Sequence, residues 1–105
     1  MGIRIITDST SEIGKLDAEK MGVTVVALKS VFSDGEYLDG IDLSPEEFYV
    51  KLATANPLPT TSQPTPIEFE KVFGDAVAAG DSVIAILLAS KLSGTVQSAL
   101  IAKEL

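Results

Sequence analysis

The chain has 105 residues, with 46% apolar residues, eight Lys or Arg against fifteen Asp or Glu, and a formal charge of -7. A single small α/β-sized core fits this length, and general disorder does not fit this apolar content. The acidic balance leaves no basic stripe for nucleic acid or for an anionic membrane surface.

Cysteine and histidine are both absent. Disulfides, Cys/His metal sites and Ser-His-Asp or Cys-His triads therefore cannot be built from this chain alone. The segment Met1–Ile6 is too short an apolar run for a signal peptide, and Asp8 interrupts the region. The longest apolar stretch, 83–89, is far below the ~20 residues that cross a bilayer. These features read as a soluble, cytoplasmic chain.

Ile3 to Ile6 predicts a first strand, ended by the hydroxyl-rich loop Thr7-Asp8-Ser9-Thr10-Ser11. Lys15 to Met21 predicts a helix closed by Gly22, and the β-branched run from Val23 to Leu28 the next strand. Asp34-Gly35, between Val31-Phe32-Ser33 and Glu36-Tyr37-Leu38, predicts a hairpin. Ser44-Pro45-Glu46-Glu47 carries a helix cap, a first-turn proline and a capping box. Leu43 and Phe48 stand at staple positions, and Leu52 shares the Phe48 face.

Asn56 to Pro64 reads as a polar loop stiffened by prolines 57, 59 and 64. Thr65-Pro66-Ile67-Glu68 repeats the helix-start logic, and Phe69, Val72, Phe73 and Ala76 form a helical apolar stripe that stops near Gly80. Ser82 to Leu88 is a nearly continuous apolar strand, of the kind covered on both faces of a parallel sheet. After Lys91-Leu92-Ser93-Gly94-Thr95 a last helix carries Val96, Ala99, Leu100 and Ala102. It reaches Leu105 with no stop signal, which leads to the expectation of a chain cut inside a larger fold. The order of elements defines an α/β fold: a mostly parallel sheet with helices on both faces, plus a small hairpin.

Three hydroxyl-rich segments could carry chemistry: 7–11, Thr60-Thr61-Ser62-Gln63 and 90–98. The first and third follow strands and so fall at the carboxyl edge of the sheet, where α/β ligands bind. Ser93, Gly94 and Thr95 would offer backbone N–H groups at the start of the last helix to a carboxylate or phosphate oxygen. Gly94 would allow a ligand close to the backbone. The structural readings stand beside these: Ser93 as a helix cap, 60–62 as a turn, Asp8 as an acceptor for loop N–H groups. Asp39 and Asp42 lack the further oxygens of a hard-cation site and read as solvated acids. Glu46 and Glu47 are first-turn helix acids. No dinucleotide or P-loop motif is present.

The strings Ile6-Thr7-Asp8-Ser9-Thr10, Phe32-Ser33-Asp34-Gly35, Glu47-Phe48-Tyr49, Pro59-Thr60-Thr61-Ser62-Gln63-Pro64, Leu92-Ser93-Gly94-Thr95 and Gln97-Ser98-Ala99 together resemble the DegV family of bacterial lipid-binding proteins. The resemblance implies two-domain α/β proteins of EDD fold that hold a long-chain fatty acid such as palmitate. It implies a carboxylate near the domain junction, a tail in an apolar tunnel, and a carrier role for a fatty-acid kinase. By motif, Thr61 and Ser93 would take the carboxylate, with Thr60, Ser62 and Gly94 beside them and Asp8 and Ser9 in the adjoining loop. It implies a binding protein and not an enzyme, with no catalytic residues, metal or cofactor. Residues 1–105 would be part of a DegV-like N-terminal domain, with the second lipid-binding domain absent from this chain. Lys91 departs from the family pattern, which often has a small hydroxyl residue there. Two other readings remain open: a non-lipid interaction or regulatory module, and a phosphate-ester enzyme using Asp8, although the Asp-x-Asp spacing is missing.

Overall fold

The computed structural model describes residues 2–104. In chain order they form β1 (Ile3–Asp8), a 3-10 turn (Ser9–Ser11), α1 (Lys15–Met21), β2 (Val23–Val26), β3 (Lys29–Phe32), β4 (Gly35–Leu38), α2 (Pro45–Ala53), β5 (Thr60–Ser62), α3 (Pro66–Ala78), β6 (Ser82–Ile86) and α4 (Thr95–Glu104).

The apolar strand runs make one parallel sheet in the order β2-β1-β6. Ile5 pairs with Val23 on one side and with Ile84 on the other. The expected parallel sheet is therefore present, with β1 at its centre. Crossovers leave β1 for β2 and then return past β1 to β6. α1 packs against β2, and α3 packs against β6 and β2. Arg4 ties the start of this arrangement to Asp81, with Nη2 donating to Oδ2 at 3.1 Å.

One sheet face carries the core. Ile6 and Val26 pack with Phe69 of α3 and with Ala99 and Ala102 of α4, and Val72, Phe73, Val83 and Leu87 close around them. The small residues of α4 let it lie close to α3. The other face shows Ile3 and Ile5 of β1 beside Ile84 and Ile86 of β6, all exposed, with Ile3 at 67% and Ile86 at 61%. Parallel sheets are ordinarily covered on both faces.

The expected hairpin is also present: β3 and β4 pair antiparallel, with Phe32 opposite Gly35. The proline-rich stretch corrects the loop expectation. Thr60–Ser62 is β5, an antiparallel edge strand on β3 in the order β4-β3-β5, and Ser30 faces Thr61. Pro59 and Pro64 bracket it, as suits prolines at a sheet edge.

Two strands end earlier than their apolar runs suggest. β2 stops at Val26 because the Leu28 N–H goes to Ser9 Oγ at 3.0 Å and the Leu28 carbonyl accepts from Asp39 N at 2.9 Å. β6 stops at Ile86, and the Leu88 N–H goes to Asp8 Oδ2 at 2.7 Å.

Both capping boxes form. Ser44 and Glu47 exchange bonds of 3.2 and 3.1 Å at α2, and Thr65 and Glu68 exchange bonds of 3.3 and 2.8 Å at α3. The Ser44 backbone N–H and hydroxyl hold the Glu47 carboxyl below the usual glutamate range.

α2 meets the hairpin through aromatic edges, Phe32–Tyr37 at 5.9 Å and Phe32–Phe48 at 6.0 Å between centroids. Lys51 spans both rings at 5.0 Å and donates to Asp34 Oδ2 at 2.6 Å. That hydrogen bond is the main cause that lowers the Asp34 carboxyl and raises the Lys51 amine.

Phe69 is fully buried. Phe69→Ala should destabilise the protein by about 3–5 kcal/mol, a large share of the stability of a small domain. Urea unfolding measures this, and a loss under about 1 kcal/mol would show that α3 contributes little to the core.

The Asp34–Lys51 pair predicts a pH dependence. Because the folded Asp34 carboxyl is lowered, its contribution is complete above the ordinary aspartate range and is lost as pH falls through the folded value. The stability difference between the parent and Asp34→Asn should be present at neutral pH and close in acid. A difference that stays constant down to acid pH would assign it to packing.

Candidate functional site

The site is built from three turns at one end of the fold. The first begins inside β1, because Thr7 and Asp8, expected in the loop, pair with Val25 and Val26 and extend the strand. Asp8 is buried at 1% exposure. Its Oδ1 accepts from the Thr10 N–H at 2.9 Å and from the Thr10 hydroxyl, and its Oδ2 accepts from Leu88 N. Ser9 Oγ accepts from Leu28 N. Thr7 donates its hydroxyl to the Ile86 carbonyl at 2.7 Å. Asp8 and Ser9 thus stand at the carboxyl edge as expected, and both are engaged by backbone N–H groups of the flanking segments.

The second turn follows β6. The N–H groups of Leu92 and Ser93 both reach the Ala89 carbonyl, at 2.9 and 3.2 Å. This fold-back delivers Ser93 to the start of α4. The cap position itself is Gly94, whose carbonyl accepts from Ser98 N at 3.0 Å. Ser93, expected as a possible cap, stands one residue earlier. Its Oγ accepts from Thr95 N at 3.3 Å and lies 2.9 Å from Thr95 Oγ1.

The expectation of three open N–H groups here is corrected. Ser93 N and Thr95 N are already bonded, and of these three only the Gly94 N–H has no partner among the described residues. Hydroxyl chemistry offsets that. When fully buried Thr95 donates to Ser93 Oγ, the Ser93 proton is free to point at an acceptor, and chained hydroxyls polarise one another.

The third turn follows β5. Thr60 and Thr61 are exposed and Ser62 is half-buried. Pro64 is fully buried, so the backbone leaving β5 is anchored. Between them, Gln63 reaches α4: its Nε2 donates to Ser98 Oγ at 3.2 Å. The amide crosses directly over Gly94, where a Cβ would lie 2.7 Å from Nε2 and closer to the other amide atoms. The structure therefore brings 60–63 against 93–98, and with them the segments holding Thr61 and Ser93. Thr95, Ser98 and Gln63 complete this arrangement. All three lay inside the hydroxyl-rich segments, but their partners are 2 to 35 positions away in sequence.

Two open depressions occur elsewhere. One is lined by Val25, Leu38, Ile41, Lys71 and Val72, the other by Phe32, Asp34, Lys51 and Asn56. Neither is lined by Thr61 or Ser93. Asp42, weighed as a cation ligand, instead accepts from Leu38 N at 2.8 Å. Among the described residues no cluster of His, Cys, Asp and Glu could hold a metal ion, and no helix is long and apolar enough to cross a membrane.

Neutral hydroxyl and amide groups thus converge at the carboxyl edge of a parallel α/β sheet, the edge where ligands bind in open α/β folds. The chain belongs to the DegV family: the family model, described as an uncharacterised protein of the DegV family, matches residues 2–105. It is 46% identical over 103 residues to a DegV domain-containing protein of Caldanaerobacter subterraneus, covering 98% of this chain and 36% of that protein. It is 43% identical over 105 residues to one of Clostridium perfringens, covering 100% and 37%. The chain thus spans about a third of the length of these curated relatives.

Among solved structures, it is similar to DegV, a fatty acid binding protein from Bacillus subtilis, with TM-score 0.90 and 36% identity over 99% of this chain and 37% of that one. It is also similar to a fatty-acid-binding DegV family protein from Thermus thermophilus, with TM-score 0.85 and 39% identity over 99% and 37%. A third is a stearic-acid-binding protein from Eubacterium ventriosum, with TM-score 0.87 and 32% identity over 95% and 35%.

Asp8 supplies the acceptor that ends β6. Asp8→Ala leaves the Leu88 and Thr10 N–H groups without it and should cost about 2–3 kcal/mol. Ser9→Ala, which removes a neutral acceptor, should cost about 1 kcal/mol. Chemical unfolding of both variants checks the order. A smaller loss for Asp8→Ala than for Ser9→Ala would mean that the Asp8 carboxylate is not what holds Leu88.

Proposed function

We propose that the protein carrying this chain binds a long-chain fatty acid, and that residues 60–63 and 93–98 hold its carboxylate. The observation that carries the reading is the meeting of these two segments through Gln63 and Gly94. The solved relatives described as fatty-acid-binding supply the ligand class.

In this reading Thr61 and Ser93 donate their hydroxyls to the head group. Thr60, Ser62 and the Gly94 N–H flank it. Asp8 and Ser9 act from the adjoining loop by fixing the strand ends. A carboxylate leaving water needs such donors, or it takes up a proton instead. The net charge of -7 is spread over the chain, while neutral donors govern the local field. The tail gains roughly 0.8 kcal/mol per methylene removed from water, so tunnel length sets affinity and the polar end sets orientation.

Neither of the two depressions is lined by Thr61 or Ser93. A second domain, for which the chain's share of its relatives leaves room, supplies the remaining wall. The role is that of a cytoplasmic carrier, presenting the bound acid to a fatty-acid kinase, and not of an enzyme.

Thr61→Val and Ser93→Ala in the full-length protein should each weaken palmitate binding by about 1–3 kcal/mol, since each removes a hydrogen bond to a charged group. Calorimetric titration reads the loss, with methyl palmitate as the uncharged control. Ser93→Ala also releases Thr95 N, so folding is checked separately by unfolding. Unchanged palmitate affinity in both folded variants would remove Thr61 and Ser93 from the head-group site.

A further inference from the structure

We infer that Gln63 is a positioning residue: its amide sets the spacing between the Thr60–Ser62 strand and the Ser93–Thr95 turn, and residue 94 is glycine to admit it. The affinity part of this inference rests on the head-group reading above; the clasp itself does not.

Two explanations exist for a glycine at the start of α4. One is a left-handed backbone, as at Gly22, Gly40 and Gly80, whose φ values are 71°, 78° and 77°. Gly94 is not among the positive-φ residues. The other is close approach, and this is what the geometry shows. A Cβ at Gly94 would meet Gln63 Cδ at 2.5 Å and Nε2 at 2.7 Å, well inside contact distance. Gln63 therefore lies flat on the α4 backbone, with no room for a side chain beneath it.

Its far end is fixed as well. Ser98, the acceptor for Nε2, is 2% exposed, and its own N–H is bonded to the Gly94 carbonyl. Gln63 thus binds both ends of the first turn of α4, by contact at Gly94 and by hydrogen bond at Ser98. On the other side it is two residues from Thr61 and is followed by buried Pro64. A shift of its amide would change the distance from Thr61 to Ser93 before it changed either residue's own strand or turn.

This arrangement has a distinctive mutational consequence. Gln63→Ala deletes the clasp. Gly94→Ala evicts it, because the flexible amide gives way before the helix backbone does. The two substitutions remove one interaction by different routes, so their effects should not add. In the Gln63→Ala background the added methyl at residue 94 meets no Gln63 amide, and what remains is the modest change at a helix cap.

The test is a double-mutant cycle in the full-length protein, read by stearate affinity and by urea unfolding. Each single variant should lose roughly fivefold in stearate affinity, the size of one neutral hydrogen bond, and the double variant about the same rather than the product. Methyl stearate affinity should change far less, because the spacing matters to a carboxylate that both hydroxyls must reach. Equal losses for stearate and its methyl ester would reduce Gln63 to a structural role and overturn the positioning claim, as would unaltered stearate binding in Gln63→Ala. A parent protein that does not bind stearate refutes the fatty-acid reading and the affinity part with it. The clasp is then decided by the unfolding cycle, where non-additive losses support it and additive losses overturn it.

Discussion

Two adjacent side chains at the end of the central strand determine where the rest of the sheet stops. Asp8 takes the Leu88 N–H and Ser9 takes the Leu28 N–H, so β1 reaches out to the segments following both of its neighbours. Each bond diverts a backbone donor that would otherwise extend a ladder. The chain after β2 is free to turn into the second sheet, and the chain after β6 is free to fold back toward α4. A buried carboxylate is costly to isolate, and here N–H and hydroxyl donors meet both of its oxygens. The price of burying Asp8 is thereby met by the same bonds that end β6 at Ile86.

The second sheet matters because it carries β5 to that edge. Its strands are short, and Phe32, Tyr37 and Phe48 gather against Lys51 on the side of α2. β5 has only β3 as a partner, and it is polar. Its position relative to α4 therefore depends on contacts outside the sheet. Pro64 and Gln63 supply those contacts at its end, which explains how three exposed or half-exposed hydroxyl residues can be held in a defined place.

The features legible in the sequence were those with local causes. Ser44–Glu47 and Thr65–Glu68 are four-residue signals, and both helices begin where those signals stand. Ile3–Ile6, Val23–Val26 and Val83–Ile86 carry enough apolar and β-branched residues to read as strands from local pattern. Asp34-Gly35 likewise fixes its own hairpin. What escaped had distant causes. Thr60–Ser62 looks like a loop because prolines surround it, and only β3, thirty-odd residues earlier, makes it a strand. The strand ends at Val26 and Ile86 depend on Ser9 and Asp8. Ser93 reads as a cap until the fold-back to Ala89 puts Gly94 in that place. The hydroxyl segments announced a polar site, while the pairing of Gln63 with Ser98 left no trace in local pattern.

The chemistry of the site follows from what the chain lacks as much as from what it holds. With fifteen acids, eight bases and no histidine, this chain brings no strong positive field to the proposed head-group site. Lysine or arginine would attract an anion over a distance, but hydroxyls act only at contact, and their strength depends on alignment. A site of this kind discriminates by geometry: in the proposed reading a carboxylate meets Thr61 and Ser93 together. That requirement makes the spacing between two polar segments the controlling quantity. It also explains why a neutral amide lying on a glycine is suited to govern it. An ion pair at that position would bring a formal charge beside the anion, whereas Gln63 fixes the same distance with none.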